Sequence, residues 1–129
     1  MRKILIALDE CRDNGKHVIL LGHAEAKVVE RPDGLTYQTY AVKLGKHCSR
    51  VVSEWCDEML YCQRDYLVRQ QDNGKHGVGV DKGTRSLYTV GTPSFEAKNR
   101  VPGLSEKFDL SDVEAYIAAV TKTHAKTTE

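Results

Sequence analysis

Two cations, Lys98 and Arg100, stand two residues apart in the run Glu96-Ala97-Lys98-Asn99-Arg100. The run follows a β-prone stretch that ends at Gly91-Thr92-Pro93. In extended backbone, residues i and i+2 project to the same side. Lys98 and Arg100 are therefore expected to reach out together, as two prongs. An ammonium and a guanidinium are both pure donors, and both suit phosphate oxygens. A nucleotide held by a neighbouring subunit is one source of such phosphates. The sequence contains no G-x-x-x-x-G-K-[ST] cradle of its own. Gly15-Lys16, Gly45-Lys46 and Gly74-Lys75 are each followed by His rather than Ser or Thr. The competing reading of Lys98 and Arg100 is a solvated basic turn.

The elements that must position this pair can be read from periodicity. Residues 3–13 predict a helix, with Ile4, Leu5, Leu8 and Cys11 on one stripe and Asn14-Gly15 as its stop. The apolar run at 17–23, His-Val-Ile-Leu-Leu-Gly-His, predicts a buried central parallel strand. Residues 25–42 predict a β-hairpin excursion turning at Pro32-Asp33-Gly34. Residues 44–55 return to helix. Leu44, Cys48, Val51, Val52 and Trp55 take its apolar face, and Lys46, His47, Arg50 and Glu54 its solvated one. Strands follow at 58–62, 66–70, 77–81 and 84–91, with a turn at Asn73-Gly74. The glycines of 74–79 make no G-x-G-x-x-G match and read as part of that hairpin turn. Ser111-x-x-Glu114 is a capping box before a last helix whose apolar face is Val113, Tyr116, Ile117 and Val120. The fold class expected is α/β: a mixed sheet with a parallel central strand, a hairpin excursion, antiparallel C-terminal strands and about three helices. Residues 1–121 form one domain in this reading, and 122–129 a polar tail.

Composition narrows the partners. The 129 residues carry a net charge of +1, so bulk electrostatics call for no polyanion and local clusters must do so. No apolar run reaches the length of a membrane span, and the first residues lack a signal-peptide pattern, so a cytoplasmic place is expected. Cys11, Cys48, Cys56 and Cys62 show no C-x-x-C spacing. A zinc set of His47, Cys48, Cys56 and Cys62 would match no common pattern. No metal site is expected, and the thiols read as reduced and mostly buried.

Several words in this order resemble the phage nucleotide-binding, RecA-like P-loop ATPase family, which includes phage single-strand annealing proteins. They are His-Val-Ile-Leu-Leu-Gly-His-Ala-Glu at 17–25, the helix from Leu44 ending in Glu-Trp-Cys-Asp, and Glu-Ala-Lys-Asn-Arg at 96–100. The last also resembles the Lys-Asn-Arg motif of RadA-type proteins and the Lys-x-Arg finger of DnaB-type helicases. The resemblance covers about residues 1–120 and only the C-terminal half of that family's core. It implies that Lys98 and Arg100 are a trans-acting finger that stabilises charge on a transferring phosphate. It implies a phosphate-sensing role for His23, with Glu25 beside it to pair with it or orient a water. It places a DNA-binding loop at 26–43, with Lys27, Arg31 and Lys43 on phosphates and Tyr37 and Tyr40 as stacking platforms. The ordinary alternatives remain open: a strand-end histidine, and an amphipathic hairpin whose charge is diluted by Glu25, Glu30 and Asp33.

The family's phosphate loop and magnesium-holding acidic residue have no counterpart here. The chain therefore resembles a fragment or half-domain. ATP and magnesium are expected only in a full-length protein or partner, with no turnover by the chain alone. The leading expectation is the C-terminal part of an ATP-binding protein of phage DNA recombination or annealing. The alternative is a non-catalytic module that docks on a full-length ATPase or on single-stranded DNA. A third is a small α/β protein in which these words are relics. A parallel sheet lacking its first strands would expose an apolar edge, so self-association or pairing with a RecA-like subunit is expected.

Overall fold

The computed structural model describes residues 1–70 and 77–126. The chain runs α1 (Arg2–Asp13), β1 (Ala24–Glu30), β2 (Thr36–Val42), α2 (Lys46–Trp55), β3 (Tyr61–Gln70), β4 (Gly77–Tyr88), β5 (Lys107–Asp109) and α3 (Val113–Lys126). The strands make two antiparallel sheets, a β1-β2 hairpin and a three-stranded β3-β4-β5 sheet. This is the mixed α/β class read from the sequence, with its three helices, its hairpin and its antiparallel C-terminal strands.

Local chemistry explains the hairpin. Gly34 takes φ 81°, open to glycine at no steric cost. Its N–H donates to the Arg31 carbonyl at 2.9 Å, and the Leu35 N–H donates to Asp33 Oδ1 at 3.1 Å. The strands then pair without slippage from Glu30↔Thr36 to Ala24↔Val42. Helix α1 ends as expected, with Gly15 at φ 72° donating to the Arg12 carbonyl at 2.8 Å.

The expected central parallel strand does not form. Residues 17–23 lie outside every strand, with Ile19 81% and Leu21 95% exposed. A central parallel strand needs a partner along each side to satisfy its slanted hydrogen bonds. Both sheets here are antiparallel and pair among their own strands. Parallel pairing among the described residues is confined to an isolated bridge between Tyr40 and Phe95.

The four short strands expected after α2 merge into two long ones. What the sequence suggested as a break is a bulge, where pairing steps from Arg64↔Arg85 to Tyr66↔Asp81. Within the bulge the Ser86 and Thr84 hydroxyls donate to Asp65 at 2.8 Å. Those donors, Ser86 first, hold the Asp65 carboxyl below its usual range. The Asn73-Gly74 turn lies outside the described residues, while Gly77 and Gly79 belong to β4 and pair with Gln70 and Val68 of β3.

The last helix is capped differently from expectation. Asp109 captures Ser111, accepting both its N–H and its hydroxyl at 2.8 Å. Asp112 becomes the cap instead and accepts the Ala115 N–H at 3.2 Å. Helix α3 runs on to Lys126, beyond the expected boundary at 121. The cysteines also depart from expectation, since Cys11 and Cys62 are exposed and Cys48 and Cys56 half-buried.

The buried apolar core among the described residues is small: Leu5, Ala41, Leu87, Phe95 and Val101. Phe95 is its hub. Its ring lies 4.6 Å from Tyr61 and 4.7 Å from Tyr88, and Tyr61 in turn stacks on Tyr40 at 6.2 Å. The backbone beside Phe95 joins the two sheets. Tyr40 N–H donates to the Ser94 carbonyl and Glu96 N–H to the Tyr40 carbonyl, each at 2.8 Å. Met59 and Lys98 exchange reciprocal bonds, also at 2.8 Å. The segment that carries the two cations is thus bound to the hairpin on one side and to the approach to β3 on the other.

Candidate functional site

Lys98 and Arg100 line one open groove of about 730 Å³. The i, i+2 spacing brings them to the same place, as extended backbone requires. Asn99, between them, points its bonds elsewhere. Its Nδ2 donates to the Thr89 carbonyl, and its Oδ1 accepts the Val101 N–H, both at 3.1 Å. Thr89 is fully buried and fixed in turn, its hydroxyl donating to the Ser105 carbonyl at 2.7 Å. Asn99 is therefore the peg that holds the two prongs out. Gly91 allows the approach that makes this possible, since a Cβ there would meet the Ala97 backbone at 2.8 Å.

Asn99→Ala removes a donor and an acceptor from the backbone groups of two buried residues, Thr89 and Val101. We expect it to cost about 1–3 kcal/mol, read as a lowered urea midpoint with an unchanged slope. A midpoint within error of the parent would show that Asn99 pins nothing.

The two cations differ in how they are held. Arg100 Nη1 donates to Asp57 Oδ1 at 2.8 Å, and Nη2 to the Glu54 carbonyl at 2.9 Å. Its guanidinium is oriented by two fixed acceptors across the end of α2. Arg12 of α1 reaches the same Asp57 carboxylate at 3.9 Å. Lys98 is half-buried and makes no ion pair among the described residues.

Three further cations line the groove: Lys27 of β1 and Lys46 and Arg50 of α2. The sequence put Lys46 and Arg50 on a solvated helix face. Their i, i+4 spacing does place them on one face, but only packing turns that face toward Lys98. Asp57 left no local signal, because the residue it holds is 43 positions away.

The other sequence candidates sit elsewhere. His23 is exposed, and its carbonyl accepts the Lys43 N–H at 2.7 Å. Glu25 shares the half-buried face of β1 with Lys27 and pairs in register with Ala41. Neither His23 nor Glu25 lines the groove. The expected DNA-loop set divides. Lys27 joins the groove, while Arg31 pairs with Asp33 at 3.0 Å at the hairpin turn. Tyr37 is exposed on β2 opposite Val29, and Lys43 is exposed after β2. Tyr40 stacks on Tyr61 and stays about half exposed. Trp55, expected in the core, is half-buried and donates its indole N–H to Asp9 at 2.9 Å. Among the described residues no three His, Cys, Asp or Glu side chains converge as a metal site. None of their helices is long and apolar enough to cross a membrane.

Fold and groove together define a small α/β domain that gathers cations on one side and carries no phosphate-loop motif in its sequence. A family model described as an AAA domain matches residues 1–101. The chain belongs to that family, which places it among P-loop-type ATPases and their relatives. Strand β5 and helix α3 lie beyond the matched residues. No curated protein and no solved structure matches the chain.

Proposed function

We propose that this chain serves an ATP-binding assembly of phage DNA recombination or annealing by supplying Lys98 and Arg100, in trans, to a nucleotide held by another subunit. The observation that carries the reading is their convergence on one groove in a chain of the AAA-domain family. The residues present suit the outer oxygens of a triphosphate, since ammonium and guanidinium groups donate and do not accept. They do not suit a whole magnesium nucleotide, because the cradle motif is not in the sequence. When bound by the neighbour, magnesium ATP supplies the phosphoryl group that is transferred. Arg100, pre-oriented by Asp57 and the Glu54 carbonyl, offers paired N–H groups to the charge that develops there. Lys98 offers a mobile point charge beside it.

The test is complementation. An AAA-family ATPase that keeps its phosphate loop but has lost its own finger is mixed with this chain, and phosphate release is followed. The reading expects turnover from the mixture and none from this chain alone. Magnesium-dependent turnover by the pure chain, abolished by Lys98→Ala, would defeat it.

Self-association belongs to the same proposal. Val18-Ile19-Leu20-Leu21 is an apolar run with no strand partner among the described residues, and Ile19, Leu20 and Leu21 are all exposed. Such a run is a template for pairing with a second chain. Sedimentation is expected to show dimers or larger species, and Leu21→Lys to shift the protein toward monomer. A tightly folded monomer at high concentration would exclude this.

One observation favours a second reading, a non-catalytic module for single-stranded DNA: Lys27 of the expected DNA loop opens onto the same groove. Fluorescence anisotropy with an oligonucleotide at two salt concentrations decides it, and no binding at low salt ends it.

A further inference from the structure

The groove carries more positive charge than two prongs require. Five cations line it against two carboxylates, Glu54 and Glu96, in a chain whose total charge is only +1. Lys27, Lys46 and Lys98 make no ion pair among the described residues. Arg50 has only an exposed partner, Glu54 at 3.5 Å, of the kind worth little in water. The cations come from three separate places: β1, the first turns of α2, and the segment after Phe95. Unpaired like charges brought together by tertiary packing repel one another unless an anion lies between them.

Two features describe that anion. Ser49 lines the groove at 9% exposure, and its hydroxyl makes no hydrogen bond among the described residues. It is a spare neutral donor amid cations. No aromatic side chain lines the groove among the described residues, so nothing there stacks a base. The chemistry is that of linked phosphates read without their base. A terminal phosphate is served by Lys98 and Arg100, and three more cations call for more phosphates.

We infer that the groove binds the triphosphate tail of a nucleotide, with Lys27, Lys46, Arg50 and Ser49 contacting the phosphates behind the one that meets Lys98 and Arg100. This rests on the trans-finger reading for the nucleotide as source, and not for the phosphate chemistry.

Inorganic triphosphate and orthophosphate, titrated calorimetrically into the full chain at low salt, provide the test. Triphosphate should bind, more tightly than orthophosphate, and should weaken as salt screens the cations. Lys46→Ala and Arg50→Ala should each weaken it about two- to five-fold, with unchanged thermal melting because both side chains are exposed. Lys46→Glu gives a larger step in the same direction. Absence of binding at low salt would overturn the inference. So would affinities unmoved by these three variants, or binding of an oligothymidylate where triphosphate does not bind. If triphosphate binds but the chain stimulates no partner, the groove stands and the finger reading falls. If stimulation depends on Lys98 while triphosphate affinity ignores Lys46 and Arg50, the finger stands and the extended groove falls.

Discussion

Arg100→Ala is expected, on the proposed trans role, to lose about 10³-fold or more of the turnover of a finger-less ATPase partner, equivalent to about 4 kcal/mol of transition-state stabilisation. The size follows from where the charge acts. A guanidinium that meets a phosphoryl group only as charge develops on it lowers the barrier without stabilising the ground state equally. In the free chain the same guanidinium costs little to remove. Arg100 and Asp57 are 56% and 60% exposed at their side chains, and an exposed pair contributes at most about 1 kcal/mol. Function and folding should therefore separate cleanly, with lost stimulation beside a nearly parental melting curve. Arg100→Lys should rescue little, because one ammonium cannot satisfy the Asp57 carboxylate and the Glu54 carbonyl in the paired geometry that orients the group. Lys98→Ala should also lose stimulation. An Arg100→Ala chain that keeps most of the stimulation would remove Arg100 from the chemistry.

Phe95→Ala is expected to remove a large share of the domain's stability. Deleting a buried phenyl ring costs about 3–5 kcal/mol, against a total stability of about 5–15 kcal/mol for an ordinary domain. The core here has few residues to spread that loss over. Phe95 packs on Tyr61 and Tyr88, and burial pushes the Tyr61 phenol above its ordinary value. The backbone on either side of Phe95 ties the β1-β2 hairpin, through Tyr40, to the segment that carries Lys98 and Arg100. Losing the ring should therefore loosen the link between the two sheets as well as the core. Near-ultraviolet circular dichroism should weaken, and the denaturation midpoint should fall steeply. Phe95→Leu, which keeps much of the volume, should fall less. A Phe95→Ala protein that melts within a few degrees of the parent would mean the aromatic cluster is not what joins the sheets.

Three consecutive residues after α2 gather the supports of the site. Asp57 accepts from Arg100, Glu58 accepts from the Tyr116 hydroxyl of α3, and Met59 pairs with Lys98 through the backbone. Burial, and then the bond to Glu58, push the Tyr116 phenol well above its usual value. Helix α3, although beyond the family match, thus braces the stretch that holds both cations.

The parts legible in the sequence are those decided within a few residues. The hairpin turn at Pro32-Asp33-Gly34, the stop of α1 at Asn14-Gly15 and the shared direction of Lys98 and Arg100 all follow from local backbone rules. At 17–23 the same kind of reading failed. Apolar character alone says that a strand is wanted, whereas pairing depends on strands elsewhere, and among the described residues none pairs with it. Ser111 does not cap α3, because Asp109 takes its hydroxyl and Asp112 accepts the Ala115 N–H in its place. The residues of the groove were the least legible. Lys46 and Arg50 carry the same local pattern on a solvated face as in a site, and Asp57 meets Arg100 across a long loop of chain. By itself the sequence determined which groups carry charge and which neighbours share a side. Only the tertiary structure decided which distant cations face each other, because convergence is a property of packing and not of spacing.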